Sequence, residues 1–195
     1  MTEELPNLSD VTMKEHIITA EYAGSRVIVW DPEEGSSLYQ LGYFGKPIGI
    51  RKPKTTYFNR PSELTLLEAL YLMEKGMIKI LAGGESMTIE SFRAKCNQQL
   101  ENFEDLYMVY SHLRSLRYIV RPGLKFGAHF SVYQQGPGID HAPFLVAVFP
   151  RTSRIKPLDL VRAGRLATSV RKRFVVATVL QSQEISYYIF EWHKP

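Results

Sequence analysis

The sequence predicts a mixed α/β (α+β) fold arranged in two domains. With 195 residues, the chain is long enough to bury a core without disulfide or metal staples. The second half follows the order αβββαββ, which is typical of a mixed sheet covered by helices. Acidic residues give way to this pattern near residues 102–105, so the predicted domains are residues 1–103 and 104–195.

The first half reads as irregular strands followed by helices. Residues 26–30 (RVIVW) are β-branched and predict a strand. Residues 42–54 (GYFGKPIGIRKPK) are rich in glycine, lysine and proline, which predicts a loop without regular structure. Residues 62–74 (SELTLLEALYLME) have helical periodicity, with Ser62 as the expected N-cap. A second helical pattern begins around Thr88.

The second half carries the longer elements. A helix is predicted at 106–116, followed by strands at 118–121, 129–133 and 144–149, a helix at 158–172, and strands at 174–180 and 185–192. The last strand is apolar or aromatic on both faces, so we expect it to be central in the sheet or covered by a partner, and we favour the partner.

The helix predicted at 158–172 has two contrasting faces. At 100° per residue, one face groups Leu160, Ala163, Ala167 and Val170, and the opposite face groups Arg162, Arg165, Ser169 and Lys172. The first face is expected to pack on the sheet. The second is a cationic stripe, which is either an ordinary solvated face or a surface for a polyanion.

Composition excludes several classes of protein. Hydrophobic residues make up 45% and charged residues 23% of the chain, values typical of globular domains rather than disordered ones. No apolar run approaches the roughly 18 residues of a membrane span, and the acidic first ten residues do not predict a signal peptide. The single cysteine, Cys96, rules out an internal disulfide framework. We expect a soluble cytoplasmic protein.

Charge is distributed unevenly along the chain. Residues 1–104 carry 11 Lys and Arg against 15 Asp and Glu, whereas residues 105–195 carry 13 against 5. An excess of cations in one half indicates contact with a polyanion, most plausibly nucleic acid, although a solvated surface would also account for it.

The residues able to do chemistry favour a reaction without metal. Carboxylates in the second half are few and not clustered, which disfavours a two-metal nuclease. Tyr133 ends a predicted strand, His141 follows a loop rich in glycine and proline, and Lys172 ends the cationic helix. Taken singly, each of these is more commonly a structural residue. Together, a base, an acid and a cation suffice for RNA cleavage by internal transesterification.

Three segments resemble the archaeal tRNA-splicing endonucleases. They are VYSHLRSLRYIVRPGLKFGAHFSVY (109–133), GPGIDHAPFLV (136–146) and GRLATSVRKRFVVATV (164–179), and LTLLEALYLMEKG (64–76) is similar to the smaller domain of that family. The resemblance implies a small mixed N-terminal domain and a restriction-endonuclease-like catalytic domain. GYFGKPIGIRKPK and GPGIDHAPFLV look most like the catalytic subunit of the crenarchaeal type, which pairs with a structural subunit.

The resemblance also implies an activity and a set of roles. Tyr133, His141 and Lys172 match the catalytic tyrosine, histidine and lysine of the family. The implied reaction is excision of introns from precursor tRNA at bulge–helix–bulge motifs, leaving 2′,3′-cyclic phosphate and 5′-hydroxyl ends, with no metal or other cofactor. An unperturbed histidine, with a pKa of roughly 6.5, suits the general acid. A tyrosine, with a pKa of about 10, needs a nearby cation to act as base.

Two further positions are implied to contact RNA. Arg165 matches the first of two arginines that clamp a bulged base. The second would fall near Ser186, where this chain has no arginine, so Tyr187 or an arginine of another subunit would have to replace it. Lys46 is the expected RNA contact of the glycine–lysine loop.

Recognition of two bulges at a fixed spacing requires two active sites and hence a multimer. We expect a heterotetramer of two catalytic and two structural subunits, with a homotetramer as the other arrangement. Two different functions remain open from sequence: a metal-dependent DNA endonuclease or junction resolvase, and a non-catalytic RNA-binding structural subunit.

Overall fold

In a computed structural model, residues 17–139 and 142–190 are described. They form two compact units that divide after Glu101. We refer to residues 17–101 as the N-terminal unit and to the described residues from 102 to 190 as the C-terminal unit. Each contains helices and one mixed sheet, so the predicted mixed α/β class is confirmed.

The N-terminal unit is built on a six-stranded sheet. Its elements are β1 (Ile18–Tyr22), β2 (Val27–Val29), α1 (Pro32–Gly42), β3 (Lys46–Pro47), β4 (Ser62–Leu64), α2 (Leu66–Glu74), β5 (Ile78–Ala82), β6 (Glu85–Ser86) and α3 (Ile89–Gln99). The strand order is β3-β4-β2-β1-β5-β6. Only the central β1–β5 pair is parallel, and the other pairs are antiparallel.

One sequence-based boundary in this unit is wrong, and one helix is absent from the sequence-based prediction. Residues 62–64 are strand β4 and not the start of a helix, because Thr65 is the N-cap of α2 and forms a capping box with Glu68. Helix α1 was not predicted, although its signals are present: Asp31 accepts hydrogen bonds from the backbone N–H groups of Glu33 and Glu34, and Pro32 occupies the first turn.

Helix α1 packs closely on the sheet because it carries a glycine at the contact. A Cβ at Gly35 would lie only 2.4 Å from Oγ of Ser62 on β4. Any larger side chain there would push the helix away from the sheet. The loop predicted at residues 42–54 also contains a short strand, β3, which pairs with β4.

The C-terminal unit is built on a five-stranded sheet. Its elements are α4 (Phe103–Ser115), β7 (Ile119–Pro122), a 3₁₀ turn (Leu124–Phe126), β8 (Phe130–Tyr133), β9 (Phe144–Val148), α5 (Pro157–Ser169), β10 (Arg173–Val179) and β11 (Ile185–Phe190). The strand order is β11-β10-β9-β8-β7. The β9–β10 pair is parallel and joined through α5, whereas the remaining pairs are antiparallel.

The two helices of this unit cover opposite faces of the sheet. On one face Tyr110 of α4 contacts Phe130 of β8. On the other face Ala167 of α5 packs with Leu145 and Phe174. Leu160, Ala163 and Val170 pack against the same cluster, so the apolar face predicted for this helix is confirmed. No helix among the described residues is long and apolar enough to cross a membrane.

Candidate active site

Three strand ends meet at one edge of the C-terminal sheet. Because β8 is antiparallel to β9 and β9 is parallel to β10, the end of β8 lies beside the beginnings of β9 and β10. The register fixes this meeting point: Phe144 of β9 pairs with Val132 on one side and with Arg173 on the other. We call these three strand ends the active-site edge.

Tyr133 is the last residue of β8 and stands at this edge. It pairs with Ile119 of β7 and is half-buried. Side chains alternate between the faces of a strand, so Tyr133 shares a face with Ser131. Ser131 pairs with Leu145, which belongs to the cluster under α5. Tyr133 is therefore on the α5 side of the sheet.

Lys172 does not lie on α5, contrary to the sequence-based prediction. The helix ends at Ser169, and Arg171 adopts a left-handed conformation with φ of 55° that turns the chain toward β10. The backbone N–H of Lys172 then donates to the carbonyl oxygen of Ala167 at 2.8 Å. This turn places Lys172 directly before the first residue of β10, at the active-site edge.

Contacts with Ala142 and Phe126 orient the Lys172 ammonium group. Nζ donates a hydrogen bond to the carbonyl oxygen of Ala142 at 2.7 Å and lies 5.8 Å from the ring centroid of Phe126. Lys172 is half-buried. The first contact ties the side chain to the segment that leads into β9, and the aromatic face favours a cation at this position.

His141, the predicted general acid, lies outside the described residues. Its neighbour Ala142 is buried and accepts the Lys172 hydrogen bond. The chain therefore enters the active-site edge immediately after His141.

Tyr133 and Lys172 are brought to one edge from two different strands. Both β8 and β10 are neighbours of β9, so their backbones lie about 10 Å apart at the usual strand spacing. Tyrosine and lysine are long enough for both polar ends to reach a group bound between them. A base and a cation on either side of a phosphodiester would suit an in-line displacement.

Arg165 and Tyr187 occupy different faces of the unit. Arg165 is exposed on α5. Tyr187 pairs with Ala177 and turns toward α4, where its hydroxyl lies 2.8 Å from Nδ1 of His112 and the two rings stack. Burial raises the pKa of Tyr187 to about 12. The strand pleat directs the Tyr187 ring to the α4 side of the sheet, so within one chain it does not face Arg165 on α5.

Lys46 belongs to the N-terminal unit. It is exposed on β3, where it pairs across the strands with Glu63. The preceding residue, Gly45, donates its backbone N–H to the buried Glu68 carboxylate at 3.2 Å. The strand that carries Lys46 is thus attached to the N-terminus of α2.

A buried histidine lies at the opposite end of the same sheet, and the sequence pattern does not predict its role. His129 precedes β8, and its Nδ1 accepts a hydrogen bond from the backbone N–H of Val148 at 2.9 Å. Burial lowers the pKa of His129 below its usual value, which keeps the ring neutral and able to accept. The only sequence signal was its place at the start of a strand. No group of three or more His, Cys, Asp or Glu side chains suited to a metal ion occurs within residues 17–139 and 142–190.

Both units contain segments that match domains of a known protein family. Residues 103–187 match the family model of the tRNA intron endonuclease catalytic C-terminal domain, and residues 18–93 match that of its N-terminal domain. The C-terminal unit thus contains the match to the catalytic domain of a nuclease, and the N-terminal unit contains the match to its N-terminal domain.

Similar proteins come from several archaea, and each is called a tRNA-splicing endonuclease. One from Hyperthermus butylicus is 45% identical over 181 residues, covering 92% of this chain and all of the relative. One from Pyrobaculum arsenaticum is 40% identical over 174 residues, covering 87% of this chain and 95% of the relative. One from Saccharolobus islandicus is 39% identical over 181 residues, covering 91% of this chain and all of the relative. The chain belongs to the tRNA intron endonuclease family, a family of RNA-cleaving enzymes, which confirms the resemblance seen in the sequence.

Proposed function

We propose that this chain is a catalytic subunit that excises introns from precursor tRNA by metal-free transesterification at bulge–helix–bulge motifs. The observation that carries the proposal is the convergence of Tyr133 and Lys172 at the active-site edge, with Lys172 bonded to the residue that follows His141. Family membership supplies the class of substrate. With that substrate, the proposed compartment is the cytoplasm.

The proposed chemistry assigns one step to each side chain. Tyr133 removes the proton from the 2′-hydroxyl, and the 2′-oxygen attacks the adjacent phosphorus. Lys172 stabilises the extra negative charge of the phosphorane. His141 protonates the departing 5′-oxygen. The P–O5′ bond breaks as the P–O2′ bond forms, so the products carry a 2′,3′-cyclic phosphate and a 5′-hydroxyl.

In this proposal Lys172 also has an orienting role. Its ammonium group donates to the Ala142 carbonyl, which holds the chain on the C-terminal side of His141. An ammonium group carries three N–H donors and a positive charge, which suit it to bind a phosphate oxygen. Arg165 and Lys46 are the proposed RNA contacts outside the reacting groups.

A bulge–helix–bulge RNA labelled at its 5′ end tests this proposal directly. Cleavage in EDTA with cyclic phosphate ends is the expected result, either by this chain alone or after addition of a structural subunit of the same family. Lys172→Ala and His141→Ala are each expected to reduce the cleavage rate by at least about a thousandfold, since each removes a group that acts in the transition state. RNA binding should persist.

The exposed Lys95 of α3 offers a matched control. Lys95→Ala should cleave at the wild-type rate. Near wild-type rates in Lys172→Ala at saturating enzyme would refute the assignment. Cleavage that appears only when magnesium is restored would show a metal-dependent nuclease. Binding without cleavage, even with a structural subunit present, would show a scaffold subunit.

We also propose that β11 mediates assembly of the multimer. It is the edge strand of the C-terminal sheet, and Tyr188, Ile189 and Phe190 are exposed on it, with Tyr188 at 53% and Ile189 at 55%. An edge strand with exposed apolar side chains on both faces pairs readily with another strand. A heterotetramer of two catalytic and two structural subunits is the preferred arrangement, and a homotetramer is the alternative.

A further inference from the structure

We propose that residues 151–156 bind phosphates of the RNA substrate at a distance from the cleavage site. We call these residues the cationic segment; it connects β9 to α5. The inference rests on the proposed RNA cleavage and adds a second region of contact to it. The ligand is the sugar–phosphate backbone, recognised by charge and not by sequence.

The cationic segment presents three positive side chains to solvent. Arg151, Arg154 and Lys156 are all exposed. None of the three forms an ion pair with another residue of the described part of the chain. Residues 150–173 as a whole contain eight Lys and Arg and a single carboxylate, Asp159. Exposed cations without nearby carboxylates are typical of surfaces that neutralise phosphates.

The backbone of the segment is held in place, although its cations are exposed. Ser153 donates its N–H to the carbonyl oxygen of Pro150 at 2.8 Å, closing a turn. Ile155 is partly buried against the apolar cluster beneath α5. Arg154 and Lys156 flank this anchored residue and are therefore presented from a fixed backbone. A fixed backbone loses less conformational entropy on binding than a free loop.

The topology places the cationic segment and the active-site edge at opposite ends of the sheet. Strand β9 begins at the active-site edge, and the segment follows its far end. Helix α5 then returns to the active-site edge over 13 residues, a distance of about 20 Å at 1.5 Å per residue. Lys172 and the segment are thus separated by roughly the length of this helix.

The outward face of α5 connects the two ends. Arg162 and Arg165 are exposed on the helix, opposite the apolar face that packs on the sheet. Arg162 lies 3.7 Å from Asp159, but both side chains are mostly solvent-exposed, so the pair is weak. The cations therefore form a track along α5. A track of about 20 Å is long enough to contact several successive phosphates of an RNA strand.

The test compares two variants with the same change in net charge. The first is Arg151→Gln/Arg154→Gln/Lys156→Gln. The control is Lys75→Gln/Lys79→Gln/Lys95→Gln, three exposed lysines of the N-terminal unit. Single-turnover cleavage of a bulge–helix–bulge RNA, with the structural subunit if required, is measured at several salt concentrations. This yields the maximal rate and the half-saturating enzyme concentration for each protein.

For the segment variant we expect at least a tenfold rise in the half-saturating concentration near 0.1 M salt. The logarithm of the RNA-binding constant falls linearly with the logarithm of the salt concentration. The slope of this line should become shallower by about 2 to 3, because each lost phosphate contact contributes about 0.7 to 0.9. The maximal rate should stay within about twofold. Phosphate-ethylation interference should show a cluster of contacts several nucleotides from the cut that the segment variant no longer shows.

Each other outcome separates this inference from the proposed function. Wild-type affinity and salt slope in the segment variant, with normal cleavage by the wild type, would overturn the inference and leave the function intact. No cleavage by the wild-type assembly would instead overturn the proposed function. Equal weakening in both variants would show only a general charge effect. Loss of the multimer in sedimentation would assign the segment to a protein partner and overturn the inference.

Discussion

At the scale of single residues, Arg114 is a cation enclosed by the C-terminal unit. It is only 5% exposed, yet its Nε donates to the hydroxyl of Tyr110 at 3.1 Å and an Nη donates to the carbonyl oxygen of Val120 at 3.4 Å. The guanidinium also lies 5.5 Å from the Tyr110 ring centroid. These contacts join α4 to β7, and they account for a charged side chain in an otherwise apolar layer.

Removing this side chain should destabilise the unit. We expect Arg114→Ala to lower the free energy of unfolding by about 2 to 4 kcal/mol, because it leaves a cavity and an unpaired carbonyl oxygen. Arg117→Ala is the matched control, since Arg117 is exposed just after α4, and it should change stability by less than about 0.5 kcal/mol. Urea denaturation measures both. Equal effects of the two substitutions would contradict a structural role for Arg114.

His129 is expected to make stability depend on pH. Its pKa is lower in the folded protein than in the unfolded chain because it is buried. Below pH 6.5 the unfolded chain therefore binds the proton more readily, so the free energy of unfolding should fall as the pH falls toward the folded pKa. The loss should then level off at lower pH.

The variant His129→Gln isolates this contribution. A glutamine carbonyl can accept the Val148 N–H without titrating. Denaturation measured from pH 7.5 down to pH 5 should show a smaller loss of stability in the variant than in the wild type. Identical pH profiles of the two proteins would exclude His129 as the titrating group.

At the scale of elements, the N-terminus of α2 connects to the strand that bears Lys46. The buried Glu68 carboxylate accepts hydrogen bonds from the backbone N–H of Thr65 at 2.9 Å and from that of Gly45 at 3.2 Å. The first bond completes the helix cap, and the second holds the residue before β3. One carboxylate thus serves both a helix and a neighbouring strand.

Substitutions at this cap separate its two functions. Thr65→Ala should cost about 1 kcal/mol, as expected for an N-cap alone. Glu68→Ala should cost about 2 to 3 kcal/mol, because it also leaves the Gly45 N–H without its partner. Glu68→Ala should also accelerate amide hydrogen exchange at Gly45 and Lys46. The exposed Glu33 of α1 is the control, and Glu33→Ala should change stability by about 0.5 kcal/mol or less. Unchanged exchange at Gly45 would argue against the connection.

At the scale of the whole molecule, the proposed pairing through β11 sets the expected assembly. Ile189→Lys places a charge on the exposed edge strand and should prevent pairing while the monomer stays folded. Gln181→Lys, in the turn before β11, adds the same charge away from the strand and should leave assembly intact. Analytical ultracentrifugation measures both. A multimer that persists in Ile189→Lys would place the interface elsewhere.

Local patterns in the sequence predict much of the C-terminal unit. The order of its helices and strands follows from apolar periodicity, and the sheet-facing side of α5 follows from the spacing of Leu160, Ala163, Ala167 and Val170. Both properties depend on residues that lie within about four positions of each other in the sequence. The motifs around Tyr133, His141 and Lys172 also sufficed to indicate the family that the comparisons confirm.

Local patterns do not predict which of these elements lie next to each other in the sheet. The proximity of Tyr133 and Lys172 depends on strand order and on a parallel β9–β10 pair, which are long-range pairings that no local pattern encodes. The left-handed conformation of Arg171 directs Lys172 away from the axis of α5. The register of β10 with β11 places the Tyr187 ring on the α4 side. The strands β3 and β6 form because neighbouring strands offer unpaired backbone groups. Each is only two residues long, which is too short for a periodic pattern to predict a strand.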